Sequence, residues 1–434
     1  MLAIRTQFSN HFNYNAALVV KSPGRINLIG EHIDYNHGFV LPAAIDKYIE
    51  LAIGKRTDGA IHMVAVDLGE TIIVPMHNLK PHATAWVNYI IGVVDQVLNI
   101  THATTNNFIV TANNTPSTKI NEPTNETTLA AGFDICIHGN IPLGAGLSSS
   151  AAVECAVLFA LNELYSLSLT KMQMALLAQS AEHKFAGVHC GLMDMFASLH
   201  GEKNKAILLD CDSLAFTYYP LALNDYSIIL FDTQIKHALA SSEYNTRRLE
   251  CERGLAIIQE KYPTVKTFRD ISLEQVEACL ASNANTKNEM NEDRAEEKTT
   301  REKGAKVYQR CKYVVEEMQR VQLAVQDLTK GDMQAFGKKM FETHKGLSKL
   351  YEVSCPELDF LVEAVSNNEN VLGARMMGGG FGGCTINIIK KSAVEEITKE
   401  LTASYAQVMH KELAVYITSI EDGTHIVEGT HLVA

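Results

Sequence analysis

The chain has 434 residues, a formal charge of −12, and a composition that is 46% hydrophobic and 20% charged. That length exceeds the size at which one hydrophobic core keeps growing, so we expect two lobes with a cleft between them. The composition excludes a disordered or fibrous protein, and the negative charge argues against nucleic acid and anionic membranes as partners.

The sequence also bears on the cellular compartment. The N-terminus lacks the residue order of a signal peptide, and no apolar run is long enough to cross a bilayer. The nine cysteines are odd in number and scattered, and they form no CxxC pair. We therefore expect reduced thiols in a cytoplasmic protein with no membrane partner. The expected oligomeric state is a monomer, although no sequence feature sets it.

Strands and helices are predicted to alternate along the chain. The predicted strand regions are 17–29 with a turn at Pro23 and Gly24, 38–53 with a break at Pro42, 131–139, 226–232 and 384–389. The predicted helices are 151–164, 171–186 with a stop at Gly187, and 355–366. The highly charged stretch 283–304 predicts a solvated excursion or a surface helix.

The segment Pro-Leu-Gly-Ala-Gly-Leu-Ser-Ser-Ser at 142–150 combines small residues with hydroxyls at a predicted helix start. Free N–H groups and the helix dipole at such a point favour an anion. A tight strand-to-helix turn with a serine N-cap explains the same residues, so this loop alone is weak support for a phosphate site. The candidate nucleotide contacts are Gly144, Ala145, Gly146, Leu147, Ser148, Ser149 and Ser150.

Two other nucleotide motifs are excluded. The chain contains no GxxxxGK[ST], so a Walker-type loop is absent from the sequence. Gly378, Gly380 and Gly383 fit GxGxxG, but a predicted strand follows them where a dinucleotide site requires a helix. An NAD-dependent oxidoreductase is therefore rejected. A close-packed turn beside the phosphate loop explains this glycine cluster at least as well as ligand contact does.

Three segments taken together resemble the galactokinases. SPGRINLIGEHIDYNHGFVLPAAI (22–45) resembles the galactokinase signature, and PLGAGLSSSAA (142–152) resembles the ATP motif of the wider superfamily that includes mevalonate and homoserine kinases. GARMMGGGFGG (373–383) resembles the third motif of that superfamily. Further matches at 181–198, 241–248 and 351–359 extend the resemblance over nearly the whole chain outside 283–304.

The resemblance implies an α+β, two-lobed GHMP-kinase fold with the active site between the lobes. Residues 1–205 would form an N-terminal lobe like domain 2 of ribosomal protein S5, and residues 206–434 a ferredoxin-like C-terminal lobe. It implies transfer from Mg·ATP to the anomeric hydroxyl of galactose, giving galactose 1-phosphate for galactose catabolism. Three positions depart from the family pattern: Ile33 in GEHxDY, Met195 after Asp194, and the pair Phe231-Asp232.

The resemblance also implies catalytic roles. Asp194 matches the base that takes the proton of the sugar hydroxyl, and Arg25 matches the arginine that keeps Asp194 ionised and balances the developing charge. A helix-capping aspartate and a structural salt bridge are the alternatives. The candidate sugar contacts are Glu31, His32, Asp34, Gly191 and Tyr244, and core packing is a serious alternative for Tyr244.

Magnesium is the implied cofactor, with Ser149 or Ser150 and Glu182 as its candidate ligands. For Glu182, an exposed glutamate late in a helix is the ordinary expectation. Trp86 and Tyr89 resemble the aromatic residues of the adenine pocket, and core packing explains them almost as well.

Two alternatives remain open at this point. The first is a kinase for N-acetylgalactosamine or another sugar, and the second is a galactose-sensing protein that binds both ligands without catalysis. The intact signature with Asp34 favours galactose, and the presence of both Arg25 and Asp194 favours the enzyme.

Overall fold

The protein is represented by a computed structural model that describes residues 3–103, 129–235, 240–281 and 295–427. Within these ranges it is a mixed α and β structure, as predicted. The strands are β1 (Leu18–Asn27), β2 (Phe39–Val40), β3 (Pro42–Lys55), β4 (Ala60–Ala65), β5 (Glu70–Pro75), β6 (Gly132–Gly139), β7 (Lys205–Asp210), β8 (Phe216–Pro220), β9 (Tyr226–Asp232), β10 (Val371–Met376), β11 (Cys384–Lys390), β12 (Ala414–Thr418) and β13 (His425–Ile426).

The helices cover the sheets. They are α1 (Ile4–Phe12), α2 (Ala85–Ala103), α3 (Ser149–Tyr165), α4 (Lys171–Ala181), α5 (Met193–His200), α6 (Ala240–Lys261), α7 (Leu273–Val276), α8 (Ala295–Lys330), α9 (Met333–Gly346), α10 (Pro356–Val365) and α11 (Val394–Met409). Single π-helical turns extend α4, α7 and α9 over Glu182–Ala186, Glu277–Ala281 and Leu347–Tyr351.

The first sheet has six strands in the order β13-β1-β3-β6-β4-β5, in which only β4 and β6 are parallel neighbours. Alternation along β1 separates two apolar layers, since successive side chains of a strand point to opposite faces. Leu18 and Val20 join the large core, to which α2 to α5 also contribute, whereas Val19 packs with Ile4 and Phe8 of α1. Burial on both faces of β1 fixes the strand that carries Arg25.

The second sheet has four antiparallel strands in the order β10-β11-β9-β12. Ile229 and Phe231 of β9 face a core shared with α10 and α11, while Ile228 and Leu230 face the large core. A third sheet joins β2, β7 and β8. The predicted boundary between the two lobes falls at the start of β7, and β7 pairs with β2 of the predicted N-terminal lobe. The position of this boundary stays a prediction.

Most predicted elements are confirmed, and one turn is wrong. β1 runs through Pro23 and Gly24 to Asn27, with a register shift between Pro23 and Arg25 where a turn was predicted. A bulge accommodates the proline, which cannot donate to the ladder. Within 283–304, residues 295–304 are the first turns of α8, and residues 283–294 lie outside the described ranges.

Two chemical expectations can be compared with the structure. All nine cysteines are free, as expected for reduced thiols. In the part of the chain that the structure describes, no helix is both long enough and apolar enough to span a membrane.

Helix α9 packs directly on the backbone of β10. A Cβ atom added at Gly337 would lie 2.0 Å from the Leu372 carbonyl oxygen, and one added at Gly373 would lie 2.5 Å from the Gly337 carbonyl oxygen. Only glycine allows this approach, because the neighbouring atoms are main chain and cannot rotate away. The contact fixes β10, which leads into the glycine cluster at 378–383.

We expect Gly337→Ala to lower the free energy of unfolding by about 1–3 kcal/mol, because the added methyl group must separate α9 from β10. Urea unfolding followed by circular dichroism measures this change. The control is Gln334→Ala, an exposed position on the same helix that should change stability by less than about 0.5 kcal/mol. Equal stabilities for the two variants would show that the helix and the strand can separate at no cost.

Candidate active site

A cleft lies where the end of β1 and the glycine cluster meet the start of α5, and no residue of the phosphate loop (142–150) is among those that line it. The predicted residues that line it are Arg25, Glu31, His32, Asp34, Glu182, Asp194 and Tyr244. Gly378, Gly379 and Gly380 close one side of the cleft. The structure therefore brings together residues that are far apart in the sequence, and their catalytic and binding roles stay predictions.

Arg25 and Asp194 form a bidentate ion pair at this site. Arg25 Nε donates to Asp194 Oδ1 at 2.7 Å, and Nη2 donates to Oδ2 at 2.9 Å. The guanidinium is almost fully buried, whereas the Asp194 side chain is 26% exposed. Arg25 Nη1 also donates to the Gly146 carbonyl oxygen at 2.7 Å. One guanidinium thus ties the carboxylate to the phosphate loop, and its planar fork fixes the orientation of both.

Ser148 makes a third contact to the same carboxylate. Its Oγ donates to Asp194 Oδ2 at 2.5 Å, although the sequence predicted a nucleotide contact for this residue. Ser148 lies in the left-handed region at φ 57°, at the residue before α3, and its side chain does not cap the helix. This strained backbone at the helix start directs the hydroxyl to Asp194 and away from the N–H groups of α3.

The glycine cluster packs against the phosphate loop, as the sequence indicated. A Cβ atom at Gly378 would lie 3.1 Å from the Gly146 carbonyl oxygen, and one at Gly383 would lie 3.1 Å from Ala145. On the other side, a Cβ atom at Gly24 would lie 2.6 Å from the Leu147 carbonyl oxygen. The loop is therefore held between two backbone segments. The approach at Gly24 requires glycine because the neighbouring atom is main chain, and Gly378 and Gly383 have φ values of 76° that favour glycine.

Glu31 is a buried carboxylate that joins the signature loop to β10. Its Oε1 accepts from the Gly378 N–H at 2.7 Å and from the Arg375 guanidinium at 3.3 Å. Its Oε2 accepts from Asn27 Nδ2 at 3.0 Å. Arg375 also donates to the carbonyl oxygens of Asn27, Leu28 and Met376. Glu31 therefore faces the cleft from a fixed position.

His32 is neutral and belongs to a chain of phenols. Burial lowers the pKa of His32 to about 4. Its Nε2 lies 3.2 Å from the Gly379 carbonyl oxygen, so Nε2 carries the proton and Nδ1 accepts from Tyr35 Oη at 2.8 Å. Tyr35 Oη in turn lies 2.9 Å from Tyr351 Oη. The ring of Tyr244 packs on His32, with ring centres 5.2 Å apart.

Asp34 is a buried carboxyl group close to Asp194. Burial and the charge of Asp194 raise the pKa of Asp34 to about 7. Gly191 lies against it, because a Cβ atom at that position would be 1.9 Å from Asp34 Oδ2. Main chain thus approaches this carboxyl group where the sequence predicted an approach to the sugar.

Glu182, on the π turn after α4, faces the start of α3. It accepts a hydrogen bond from Ser150 Oγ at 3.2 Å, and it is 8% exposed. Burial and the charge of Asp194 raise the pKa of Glu182 to about 7. A hydroxyl and a carboxylate are hard oxygen donors, and a helix N-terminus favours phosphate, so the predicted magnesium ligands fit Mg²⁺ carried by a nucleotide. The ordinary expectation of an exposed glutamate is wrong.

Glu154 is a further acidic residue beside Glu182, and the sequence did not single it out. Its side chain is fully buried and shares a hydrogen bond with the Glu182 side chain, which requires that one of the two carboxyl groups carries a proton. Burial and the charges of Glu182 and Asp194 raise the pKa of Glu154 well above its ordinary value.

Trp86 and Tyr89 lie on α2, outside the residues that line the cleft. Trp86 Nε1 donates to Glu70 Oε2 at 2.6 Å, and Tyr89 is half-buried. Burial and the charges of Glu182 and Glu154 raise the pKa of Tyr89 to about 12. The adenine role of both aromatic residues stays a prediction.

The sequence analysis missed Arg375, Tyr35 and Glu154. Arg375 lies in the quoted GARMM motif and Tyr35 follows Asp34, so their position in recognised motifs was a usable signal. Glu154, four residues after Ser150, had only helical spacing as a signal. None of the residues at the three departures from the family pattern lines the cleft. Ile33, Met195 and Phe231 are buried in apolar cores, and the buried Asp232 accepts hydrogen bonds from the backbone and side-chain N–H groups of Gln234.

The sequence matches two domains and one signature of known protein families. The chain matches the GHMP kinases N terminal domain over residues 110–202, the GHMP kinases C terminal domain over residues 324–407, and the galactokinase galactose-binding signature over residues 6–55. The chain is 34% identical over 420 residues to a galactokinase from Roseiflexus sp. (strain RS-1), covering 97% of this chain and 95% of that relative. It is 37% identical over 404 residues to a galactokinase from Thermotoga maritima, covering 93% and 98% of the two chains.

Solved structures of a galactokinase and of a mevalonate kinase also match this chain. The crystal structure of Lactococcus lactis galactokinase complexed with galactose matches with a TM-score of 0.80 and 28% identity, covering 97% of this chain and 98% of that chain. A mevalonate kinase matches with a TM-score of 0.58 and 17% identity over 93% and 99%, which shows a shared fold. The predicted two-lobed fold is confirmed. The chain belongs to the galactokinase family of the GHMP kinases.

Proposed function

We propose that this chain transfers the γ-phosphoryl group of ATP to the C1 hydroxyl of galactose, giving galactose 1-phosphate and ADP. The observation that carries the proposal is the Arg25–Asp194 ion pair beside the phosphate loop, in a cleft lined by Glu31, His32 and Asp34. Membership of the galactokinase family and the likeness to a galactose-bound structure support galactose as acceptor.

Phosphoryl transfer depends on alignment, charge stabilisation and removal of the acceptor proton. Asp194 is partly exposed to the cleft and accepts hydrogen bonds from Arg25 and Ser148, which supports a role as a positioned base. Arg25 adds a fixed positive charge where negative charge develops on the transferring group. The fixed acceptors Glu31 and Asp34, on the signature loop, are suited to the hydroxyls of a hexose.

The cofactor proposed for the reaction is Mg²⁺ bound to ATP. Glu182 with Ser150 or Ser149 would hold it, and the ion would neutralise charge on the terminal phosphates. The loop residues Gly144 to Ser150 supply the backbone N–H groups of the nucleotide site in this proposal.

A galactose sensor without catalysis is disfavoured, because the chain belongs to the galactokinase family and keeps both Arg25 and Asp194, which form an ion pair. N-acetylgalactosamine remains the alternative acceptor. The cytoplasmic location and monomeric state stay predictions from the sequence.

The function is tested by coupled ADP release on a panel of sugars. We expect galactose to give the highest kcat/KM and N-acetylgalactosamine to be a poor acceptor, because the acetamido group adds bulk in a cleft lined by fixed polar groups. A higher kcat/KM for N-acetylgalactosamine than for galactose would show that the acetamido sugar is the substrate. Galactose binding with no ADP release would favour the sensor.

The base assignment is tested by Asp194→Asn. The variant should fold, since the amide can still accept a hydrogen bond from Arg25, and it should lose at least about 10²- to 10⁴-fold in kcat. Stopped or radiometric assays of galactose 1-phosphate formation measure this loss, and calorimetry checks that galactose still binds. The control is Asp225→Asn, at an exposed position away from the cleft. A near-normal kcat for Asp194→Asn would show that Asp194 is not the catalytic base.

Galactose affinity should depend on pH through Asp34. The ionised carboxylate accepts hydrogen bonds from sugar hydroxyls, and its pKa of about 7 means that the carboxyl group is mostly protonated at pH 6 and mostly ionised at pH 8. We therefore expect the Kd for galactose to be about tenfold lower at pH 8 than at pH 6. Titration calorimetry without nucleotide measures this difference.

Asp34→Asn is the matched control for this dependence. It should bind galactose weakly and equally at both pH values. Because the folded-state pKa is raised, the ligand-free protein should lose stability as the pH rises from about 4 towards 7, and the Asn variant should lack this loss. A pH-independent Kd in the unmodified protein would exclude Asp34 as an ionised acceptor.

A further inference from the structure

Tyr35 lies outside the residues that line the cleft, yet its phenol contacts one that does. Tyr35 Oη lies 2.8 Å from Nδ1 of His32, and both His32 and Gly379 line the cleft. On its other side, Tyr35 Oη lies 2.9 Å from Tyr351 Oη, which lies 3.2 Å from Cys251 Sγ. Tyr351 and Cys251 are fully buried. A hydrogen-bond chain therefore leads from the core to the cleft, and the proposed function gives no role to its three inner residues.

The direction of the hydrogen bonds along this chain is set at the cleft end. His32 Nε2 lies 3.2 Å from the Gly379 carbonyl oxygen, which can only accept. Because burial lowers the pKa of His32 to about 4, the ring is neutral and has one N–H group. Nε2 carries that proton, so Nδ1 accepts from Tyr35, and Tyr35 Oη accepts from Tyr351. The Cys251 thiol is then the donor to Tyr351 Oη.

The backbone of His32 is held in an unfavourable conformation. Its φ of 60° lies in the left-handed region, which costs free energy for a residue other than glycine. Asn36 Nδ2 donates to the His32 carbonyl oxygen at 2.9 Å. The imidazole packs on the ring of Tyr351 with centres 5.0 Å apart, and Arg247 Nε donates to the Tyr351 carbonyl oxygen at 2.8 Å. Strain that the surroundings maintain in this way is typical of functional sites.

We propose that Tyr35 is a positioning residue for sugar binding: through its hydrogen bond to Nδ1, it presents His32 to the cleft as a donor. This inference rests on the proposed function, which places a hexose in the cleft. The Nε2–H group and the Gly379 carbonyl oxygen are neighbours, so one sugar hydroxyl can accept from the first and donate to the second. The opposite ring tautomer would place two acceptors there and leave the hydroxyl without a donor. Tyr351 and Cys251 hold the phenol of Tyr35 in the required direction.

The first test is the protonation of the His32 ring in the ligand-free protein. ¹⁵N NMR of histidine-labelled protein distinguishes a ring nitrogen that carries a proton from one that accepts a hydrogen bond. His32→Asn identifies the two resonances, and asparagine tolerates the left-handed backbone. At pH 7 we expect a protonated Nε2 and an unprotonated Nδ1, because the pKa of His32 is about 4. A protonated Nδ1 and an unprotonated Nε2 would overturn the proposal.

The same resonances report on the hydrogen-bond chain. In Tyr35→Phe the Nδ1 resonance should move, because this nitrogen loses its donor. In Tyr351→Phe it should move less, because the Tyr35 phenol still donates to Nδ1 but has lost its own donor. A larger change in Tyr351→Phe than in Tyr35→Phe would contradict the direction of the chain.

The second test is galactose binding, measured by calorimetry without nucleotide. Tyr35→Phe should raise the Kd by about 3- to 10-fold, the effect of one weakened hydrogen bond. In coupled ADP release, KM should rise by a similar factor while kcat changes by less than about twofold, because this contact binds the sugar equally in the ground state and the transition state.

A double variant shows whether Tyr35 acts through His32. In the His32→Asn background, Tyr35→Phe should raise the Kd for galactose no further, because the Nε2 donor is already absent. Additive effects of the two substitutions would show that Tyr35 acts independently of His32, and this result would overturn the proposal.

The matched control is Tyr165→Phe at the C-terminal end of α3. It also removes a buried phenol, whose Oη donates to the Gly132 carbonyl oxygen at 3.0 Å. Thermal unfolding should show a similar loss of stability in Tyr165→Phe and Tyr35→Phe, and Tyr165→Phe should leave the His32 resonances and the Kd for galactose unchanged. A purely structural Tyr35 would behave like this control, with lower stability and unchanged ring nitrogens, and that result would also overturn the proposal.

This inference and the proposed function fail separately, because the NMR and calorimetry experiments require neither nucleotide nor turnover. If the unmodified protein binds galactose but releases no ADP, the proposed function fails and the effect of Tyr35 on binding stands. If ADP release is normal and Tyr35→Phe changes neither the ring resonances nor the Kd, the function stands and the inference fails.

Discussion

The ion pair between Arg25 and Asp194 is the interaction on which the site depends. From strand β1, its guanidinium contacts two other parts of the chain at once: the phosphate loop through the Gly146 carbonyl oxygen, and the first turn of α5 through Asp194. A point charge could balance Asp194, but only a planar fork can also fix the orientation of that carboxylate relative to the loop. The proposed base and the phosphate loop therefore share one anchor.

Glycine contacts and a second buried pair extend this arrangement to the other sheet. The glycine cluster after β10 packs on the phosphate loop, and Arg375 of β10 holds Glu31 of the signature loop. The phosphate loop and the signature loop are thus both held in place by residues at the end of β10. That strand is itself fixed by the close approach of α9 at Gly337.

The sequence was sufficient for most of the helices and strands, because helical periodicity and strand patterning are local signals. It also pointed to seven of the residues that line the cleft, because they lie in recognisable motifs: Arg25, Glu31, His32, Asp34, Glu182, Asp194 and Tyr244. It was misleading at Pro23 and Gly24. These residues predicted a turn, but in the structure both lie within β1, at a bulge in its pairing with β3. The contacts of Ser148, Arg375 and Glu154 could not be predicted, since each depends on a partner brought close only by tertiary folding.

The pairing of β13 with β1 has a consequence for biosynthesis. Val20 and Lys21 of β1 pair with Ile426 and His425, and the Val427 N–H donates to the Val19 carbonyl oxygen. The strand that carries Arg25 is translated before residues 425–427, which complete its outer edge. A ribosome-bound nascent chain therefore exposes an unpaired strand edge until residues 425–427 have been made, and this edge is a surface that chaperones can shield.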